Sequence, residues 1–264
     1  MNQSAPFTTE RRDDGVCTIS LNRPDSHNAF DDRLISALSV ELEQIGADDQ
    51  LRAVVLTGKG RSFSAGADLN WMRRSAAFGE AENLADARAL ARLMATLNQL
   101  PKPTIARING AALGGGVGLA CCCDIAVAVE GARFGLTEVR LGLIPAVIGP
   151  YVIQAIGARQ ARRLMLTGER FDADEARRLG LIHQVTTVDG LDDAVEMVLG
   201  HLLASGPNAI QAAKTLIRDL VDRPITSEVI ETTATRIAKL RITAEAGEGL
   251  AAFLEKRAPR WRGP

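Results

Sequence analysis

Three short segments of this 264-residue chain carry residue types at spacings that can do chemistry. The first, Ser62-Phe63-Ser64-Ala65-Gly66-Ala67-Asp68, directly follows an apolar run ending at Gly58. Its small residues let a ligand approach the main chain, and a turn after a strand can leave amide N–H groups unpaired. The second, Asn109 to Gly118 (NGAALGGGVG), follows another apolar run and opens a helix, where exposed amides favour developing negative charge. One amide from each segment, converging on a single carbonyl oxygen, would make an oxyanion hole. Each segment alone reads equally well as a tight turn; together, behind strands of one sheet, they favour a site. The third segment, FGLTEVRLGLIP (134–145), sets Glu138 among apolar residues. A partly desolvated carboxyl there would have its pKa pushed upward, toward acid/base use near neutrality. The competing reading is an ion pair with Arg140 or Arg133.

Rival chemistries fail on spacing. Neither Gly114 nor Gly116 completes GxGxxG, and no GxxxxGK[ST] occurs. Ser62-Phe63-Ser64-Ala65-Gly66 approaches the GxSxG of serine hydrolases, with Ser in place of the first Gly, and would need His27, His183 or His201 as its base. Of four cysteines, Cys121 to Cys123 are adjacent and Cys17 stands alone, so neither a disulfide framework nor a zinc site is expected. They read as small buried residues of a reducing compartment.

The elements that must position these segments alternate between strand and helix. Cys17, Ile19 and Leu21 alternate with polar residues as in a half-buried strand, and Leu34, Leu38, Leu42 and Ile45 recur at helical spacing after Asp31 and Asp32. Residues 53–57, 104–108 and 125–129 read as buried strands, and Leu90, Leu93, Met94, Leu97 and Leu100 mark a helix face stopped by Pro101. Strand–helix–strand order with apolar strands implies crossover connections and a largely parallel sheet. After about residue 150 the strand signal fades. Helices are expected after the capping-box-like Asp172-Ala173-Asp174-Glu175, along the Val195–Leu202 stripe, from Ile210 to Leu220, and through Gly249 to Lys256. The fold class is therefore α/β with a helical C-terminal extension.

With 46% hydrophobic and 24% charged residues and a net charge of −1, the composition excludes a disordered chain and a broad basic face for nucleic acid. The uncharged stretches 108–123 and 141–158 are broken by glycines and prolines, so no membrane span is expected. The N-terminal residues, with Glu10, Asp13 and Asp14, lack the pattern of a secretory or organellar leader, which points to the cytoplasm.

The combination SFSAGADL (62–69), NGAALGGGVGLACCCD (109–124) and FGLTEVRLGLIP (134–145) resembles the enoyl-CoA hydratase/isomerase, or crotonase, family. The resemblance runs from LNRPDSHNAF (21–30) to GLAAFLEKR (249–257), nearly the whole chain. It implies a ββα-spiral core over residues 1–200, a C-terminal helical trimerisation region over 201–264, and a homotrimer or dimer of trimers. It also implies a coenzyme A thioester as substrate, and no metal or redox cofactor. Carried over position by position, it makes the backbone amides of Ala67 and Gly115 the oxyanion-hole donors and Glu138 the proton carrier. Ala65, Asp68 and Leu69 match the stretch that lines the adenine and pantetheine part of CoA, Gly66 and Gly114 further substrate-binding positions, Arg23 a contact to a CoA phosphate, and Phe253 and Lys256 tail positions that can reach the CoA of a neighbouring subunit.

The chain departs from the hydratase pattern at one place. Hydratases of this family usually carry two glutamates, and the first falls on Gly118. One expectation is that Glu138 works alone while Gly118 makes room for a branched or carboxylated acyl chain. GADLNWM (66–72), ACCCD (120–124) and EVRLGLIPAVIGPYVIQAIG (138–157) are similar to the bacterial methylglutaconyl-CoA hydratases of leucine breakdown, and Arg140 or Arg73 would then bind the substrate carboxylate. The alternative is a Δ3,Δ2-enoyl-CoA isomerase, which also manages with one carboxylate.

Overall fold

The computed structural model describes residues 5–262, which form ten strands and ten α-helices. β1 (Phe7–Arg11) and β2 (Val16–Leu21) make an antiparallel hairpin that buries Val16, Cys17, Ile19 and Leu21. α1 (Asp32–Ala47) starts where Asp31 accepts a hydrogen bond from the Leu34 amide at 2.8 Å, and it buries Leu34, Ile35, Leu38, Leu42 and Ile45. That is the helical stripe seen in the sequence, with its cap.

Three repeats of strand, strand and helix follow. β3 (Ala53–Gly58) and β4 (Ser62–Ser64) lead to α2 (Leu69–Ser75) and α3 (Glu80–Asn98). β5 (Thr104–Ile108) and β6 (Ala111–Leu113) lead to α4 (Gly115–Cys122). β7 (Ile125–Val129) and β8 (Arg133–Gly135) lead through a 3-10 turn (Glu138–Leu141) to α5 (Gly149–Thr167). The first strand of each repeat joins a six-stranded sheet in the order β1-β2-β3-β5-β7-β10, and the second joins a four-stranded sheet in the order β4-β6-β8-β9. Neighbours are parallel except β1 with β2 and β8 with β9. β9 (Arg170–Asp172) and β10 (Gln184–Thr186) are the two strands past residue 150, separated by α6 (Ala173–Leu179), which Asp172 caps and Gly180 ends. The chain is thus a ββα spiral with two sheets where one was expected.

α7 (Leu191–Ala204) packs on the large sheet, while α8 (Pro207–Leu220) has no fully buried residue. α8 is tethered by Lys214, whose Nζ lies 2.7 Å from Asp124 and donates to the Lys102 carbonyl. α9 (Ser227–Arg241) and α10 (Ala244–Leu254) complete the extension, capped by Thr226 and Thr243. Arg52, at the entry to β3, donates to the carbonyls of Leu203, Ser205 and Trp261 at 2.6–3.0 Å, so one side chain clasps the end of α7 and the C-terminal segment to the core. Among the described residues, no helix is long and apolar enough to cross a membrane.

Candidate active site

The three segments run through three neighbouring parallel strands. β4, β6 and β8 are adjacent in the small sheet, with Ser64 beside Ala112 and Leu113 beside Gly135. The bends after their carboxyl ends therefore open on the same edge, where ligands of α/β sheets bind.

Gly66 has φ +83°, a left-handed conformation that glycine adopts without cost, and a Cβ there would stand 2.7 Å from the Leu113 carbonyl oxygen and 3.2 Å from the Gly115 nitrogen. The first bend is thus pressed directly onto the second. Gly114 (φ +50°) caps α4, its own N–H donating to the Gly135 carbonyl at 2.8 Å; a Cβ on it would lie 3.0 Å from Glu138 Oε1. The carboxyl of the third segment accordingly rests against the turn that presents Gly115.

Local hydrogen bonds account for the free amides. Phe30 and Ala67 form a parallel bridge in which the Phe30 amide donates to the Gly66 carbonyl (2.6 Å) and the Asp68 amide to the Phe30 carbonyl (2.8 Å). Ala67's own N–H takes no part in it and has no acceptor among the described residues. Gly115 is the first residue of α4, where an amide has no intrahelical partner. The Phe30 ring packs on Gly115, its Cδ2 2.9 Å from where a Cβ would stand.

Glu138 opens the 3-10 turn. Its Oε2 is buried with no hydrogen-bond partner, and among the described residues it forms no ion pair with Arg140 or Arg133. Burial pushes its carboxyl above the ordinary glutamate range, only partly countered by a hydrogen bond from its own backbone. A carboxyl with one oxygen buried and without an ion pair, resting against the turn that presents Gly115, is suited to proton transfer.

Gly118 lies on α4 one turn after Gly115 and is buried. The space beside it is filled: a Cβ there would stand 2.9 Å from Ile148 Cβ and 3.4 Å from Met94 Cε. The expected room for an acyl chain at Gly118 is occupied by Ile148.

The hydrolase alternative lacks its base. Ser64 is fully buried and donates to the Asn28 carbonyl at 2.9 Å. His27 touches Ser62 instead, with Nδ1 2.9 Å from Oγ and Nε2 3.1 Å from Arg61 Nη2. Guanidinium can only donate, so Nε2 accepts and the imidazole proton sits on Nδ1, donating to Ser62. In that tautomer His27 cannot take a serine proton. His183 accepts from the Ala126 amide, and His201 is exposed on α7.

The remaining residues scatter around this cluster. The Ala65 amide donates to the His27 carbonyl, Asp68 caps α2, and Leu69 stands 71% exposed beside it. Arg23 is engaged by Asp31, Asp68 and the Ala29 carbonyl. Arg140 lies alongside Gly168, and Arg73 contacts Asn70. Phe253 and Lys256 are exposed at the end of α10. Phe30 and Ile148 were not singled out by sequence, because their roles arise from contacts distant in the chain.

Comparison with known proteins agrees with this geometry. The family model for enoyl-CoA hydratase/isomerase matches residues 11–264. An enoyl-CoA hydratase structure from Shewanella pealeana superposes with a TM-score of 0.94 at 47% identity, covering 97% of this chain and 96% of that one. The 2,3-dehydroadipyl-CoA hydratase of Escherichia coli is 36% identical over 96% of this chain and 97% of its own length. The 1,2-epoxyphenylacetyl-CoA isomerase of the same organism is 34% identical, over 97% and 98%. With its site built on three adjacent bends of a ββα spiral, the chain belongs to the enoyl-CoA hydratase/isomerase family.

Proposed function

We propose that the protein is a hydro-lyase that adds water across the double bond of an α,β-unsaturated acyl-CoA, and that its acyl chain is branched or carboxylated, as in 3-methylglutaconyl-CoA. The observation that carries this reading is the meeting of the Gly66–Ala67 bend, the start of α4 and the buried Glu138 carboxyl. When hydroxide oxygen attacks C3 of the enoyl group, electrons move onto the thioester oxygen. The Ala67 and Gly115 amides stabilise that enolate, each such donor typically contributing about 2.7–4 kcal/mol. The Glu138 carboxylate takes the proton from the attacking water and returns it to C2, so one molecule of water is added. No further cofactor enters this sequence.

Two observations support the carboxylated substrate: the E. coli relative bears the name of a dehydroadipyl-CoA hydratase, whose acyl chain ends in a carboxylate, and Arg140, two residues from Glu138, has no ion pair among the described residues. The exposed Ile225, Ile230, Ile237, Ile242 and Phe253 of the C-terminal helices and the links between them support a homotrimer or a dimer of trimers, which light scattering would measure.

A second reading is favoured by the filled space at Gly118. With no second carboxyl there, Glu138 would take a proton from C2 of a 3-enoyl-CoA and return it to C4, shifting the double bond. Incubation with 3-methylglutaconyl-CoA and with a 3-enoyl-CoA in 18O-labelled water separates the two. Label in the product is the expected result; double-bond migration without label overturns the hydratase assignment.

A further inference from the structure

We infer that Arg23 is a positioning residue that fixes the Ala67 amide, rather than a ligand of the substrate's phosphates; this rests on the oxyanion role proposed above. The Arg23 side chain is committed within the protein. Nη2 lies 2.9 Å from Asp31 Oδ2 and 3.0 Å from Asp68 Oδ2, and Nη1 donates to the Ala29 carbonyl. Those two carboxylates are the residues next after Phe30 and Ala67, the partners of the parallel bridge. Asp31 caps α1, and Asp68 caps α2 by accepting from the Asn70 and Trp71 amides. One guanidinium therefore ties together two helix starts at the point where the free Ala67 N–H is presented.

The backbone of Arg23 is itself anchored. Its amide donates to Asn28 Oδ1 and its carbonyl accepts from the Asn28 amide. Asn28, buried, donates to the Lys59 and Ser62 carbonyls on either side of the β3–β4 bend. The link from β4 through Asn28 and Arg23 to Asp68 thus braces the first bend from both ends. Burial works against the Asp68 charge, but the Trp71 and Asn70 amides and the Arg23 charge outweigh it, and its carboxyl lies below the ordinary aspartate range. Two carboxylates and the Ala29 carbonyl share the one guanidinium here, so both of its Nη groups are engaged within the protein. Without Arg23 the two like charges would push the caps apart and shift the bend, and misplacement by about 1 Å of a positioned group can cost on the order of 100-fold in rate.

The experiment compares wild type, Arg23→Met, Arg23→Lys and Asp68→Asn on an enoyl-CoA and on the same thioester of 3′-dephospho-CoA. Arg23→Met is expected to lower kcat by about tenfold or more with KM changed less than about threefold, equally for both thioesters. Arg23→Lys should restore part of kcat, and Asp68→Asn, which keeps a capping side chain, should reproduce the loss. A rise in KM at unchanged kcat that disappears with the dephospho thioester would overturn the inference in favour of phosphate binding, and unchanged kinetics would also overturn it. Hydrogen exchange over residues 64–70 reads the same hold without turnover. It should quicken in Arg23→Met while the large sheet stays protected, and unchanged exchange contradicts the inference even if the wild type proves to lack hydratase activity.

Discussion

Ile148 occupies the volume beside Gly118: its Cβ is 2.9 Å from the point where a side chain on Gly118 would begin. The position onto which the family resemblance maps a first glutamate is here closed by hydrocarbon, while the Glu138 carboxyl rests against the turn at Gly114. Gly118→Ala overpacks this contact and is expected to destabilise the fold by about 1–3 kcal/mol. Ile148→Ala alone opens a cavity at about 2–5 kcal/mol. The double variant should be less destabilised than the sum, because each change relieves the other. Urea melts of the four proteins measure the coupling; strict additivity would show that the two side chains do not share that space.

Glu138→Gln removes the proposed proton carrier while keeping its shape. The expected fall in kcat is about 10²–10⁴-fold, with thioester affinity retained. In the wild type kcat/KM should rise with pH through a midpoint above the ordinary glutamate value of about 4.3, because the base must be ionised and burial holds its proton. The stability effect has the opposite sign. A carboxyl whose pKa is raised on folding favours the folded state below its unfolded pKa, and that contribution is lost as pH climbs through the raised value. Glu138→Gln escapes that loss, so its melting temperature relative to wild type should improve from pH 4 to pH 7.5. A constant difference across that range contradicts the buried-carboxyl account.

The Arg52 clasp predicts a local lesion. Arg52→Met frees the carbonyls of Leu203, Ser205 and Trp261 and should cost about 1–3 kcal/mol. Limited proteolysis should then cut the C-terminal segment well before the sheets. Cleavage at the wild-type rate would show that the clasp does not hold the tail.

His27→Asn tests the discarded hydrolase chemistry. Asn tolerates the left-handed backbone of position 27 (φ 53°) and can still reach Ser62. Turnover should stay within about threefold of wild type, whereas loss of a true general base costs about 10²–10⁴.

Much of this was legible in the sequence where the signal is local. The α1 stripe with its Asp31 cap, the α6 start at Asp172 and the buried strands β3, β5 and β7 all follow from periodicity and capping chemistry. The small sheet was not, because SFS, AAL, RFG and RFD are three-residue strands, too short to show an alternation. That sheet is what brings the three bends to one edge, so their juxtaposition became visible only with its strand order. The same holds for Ile148 against Gly118 and for Arg23 against Asp68, 45 residues away: such pairings are set by tertiary packing and leave no mark on neighbouring residues.

The most direct measurement is a crystal structure of Glu138→Gln with an enoyl-CoA bound. The thioester oxygen should sit about 2.7–3.1 Å from both the Ala67 and Gly115 nitrogens, with residue 138 facing C2 and C3 of the acyl chain. A thioester oxygen bonded elsewhere, or to only one of those nitrogens, would contradict the proposed chemistry at its centre.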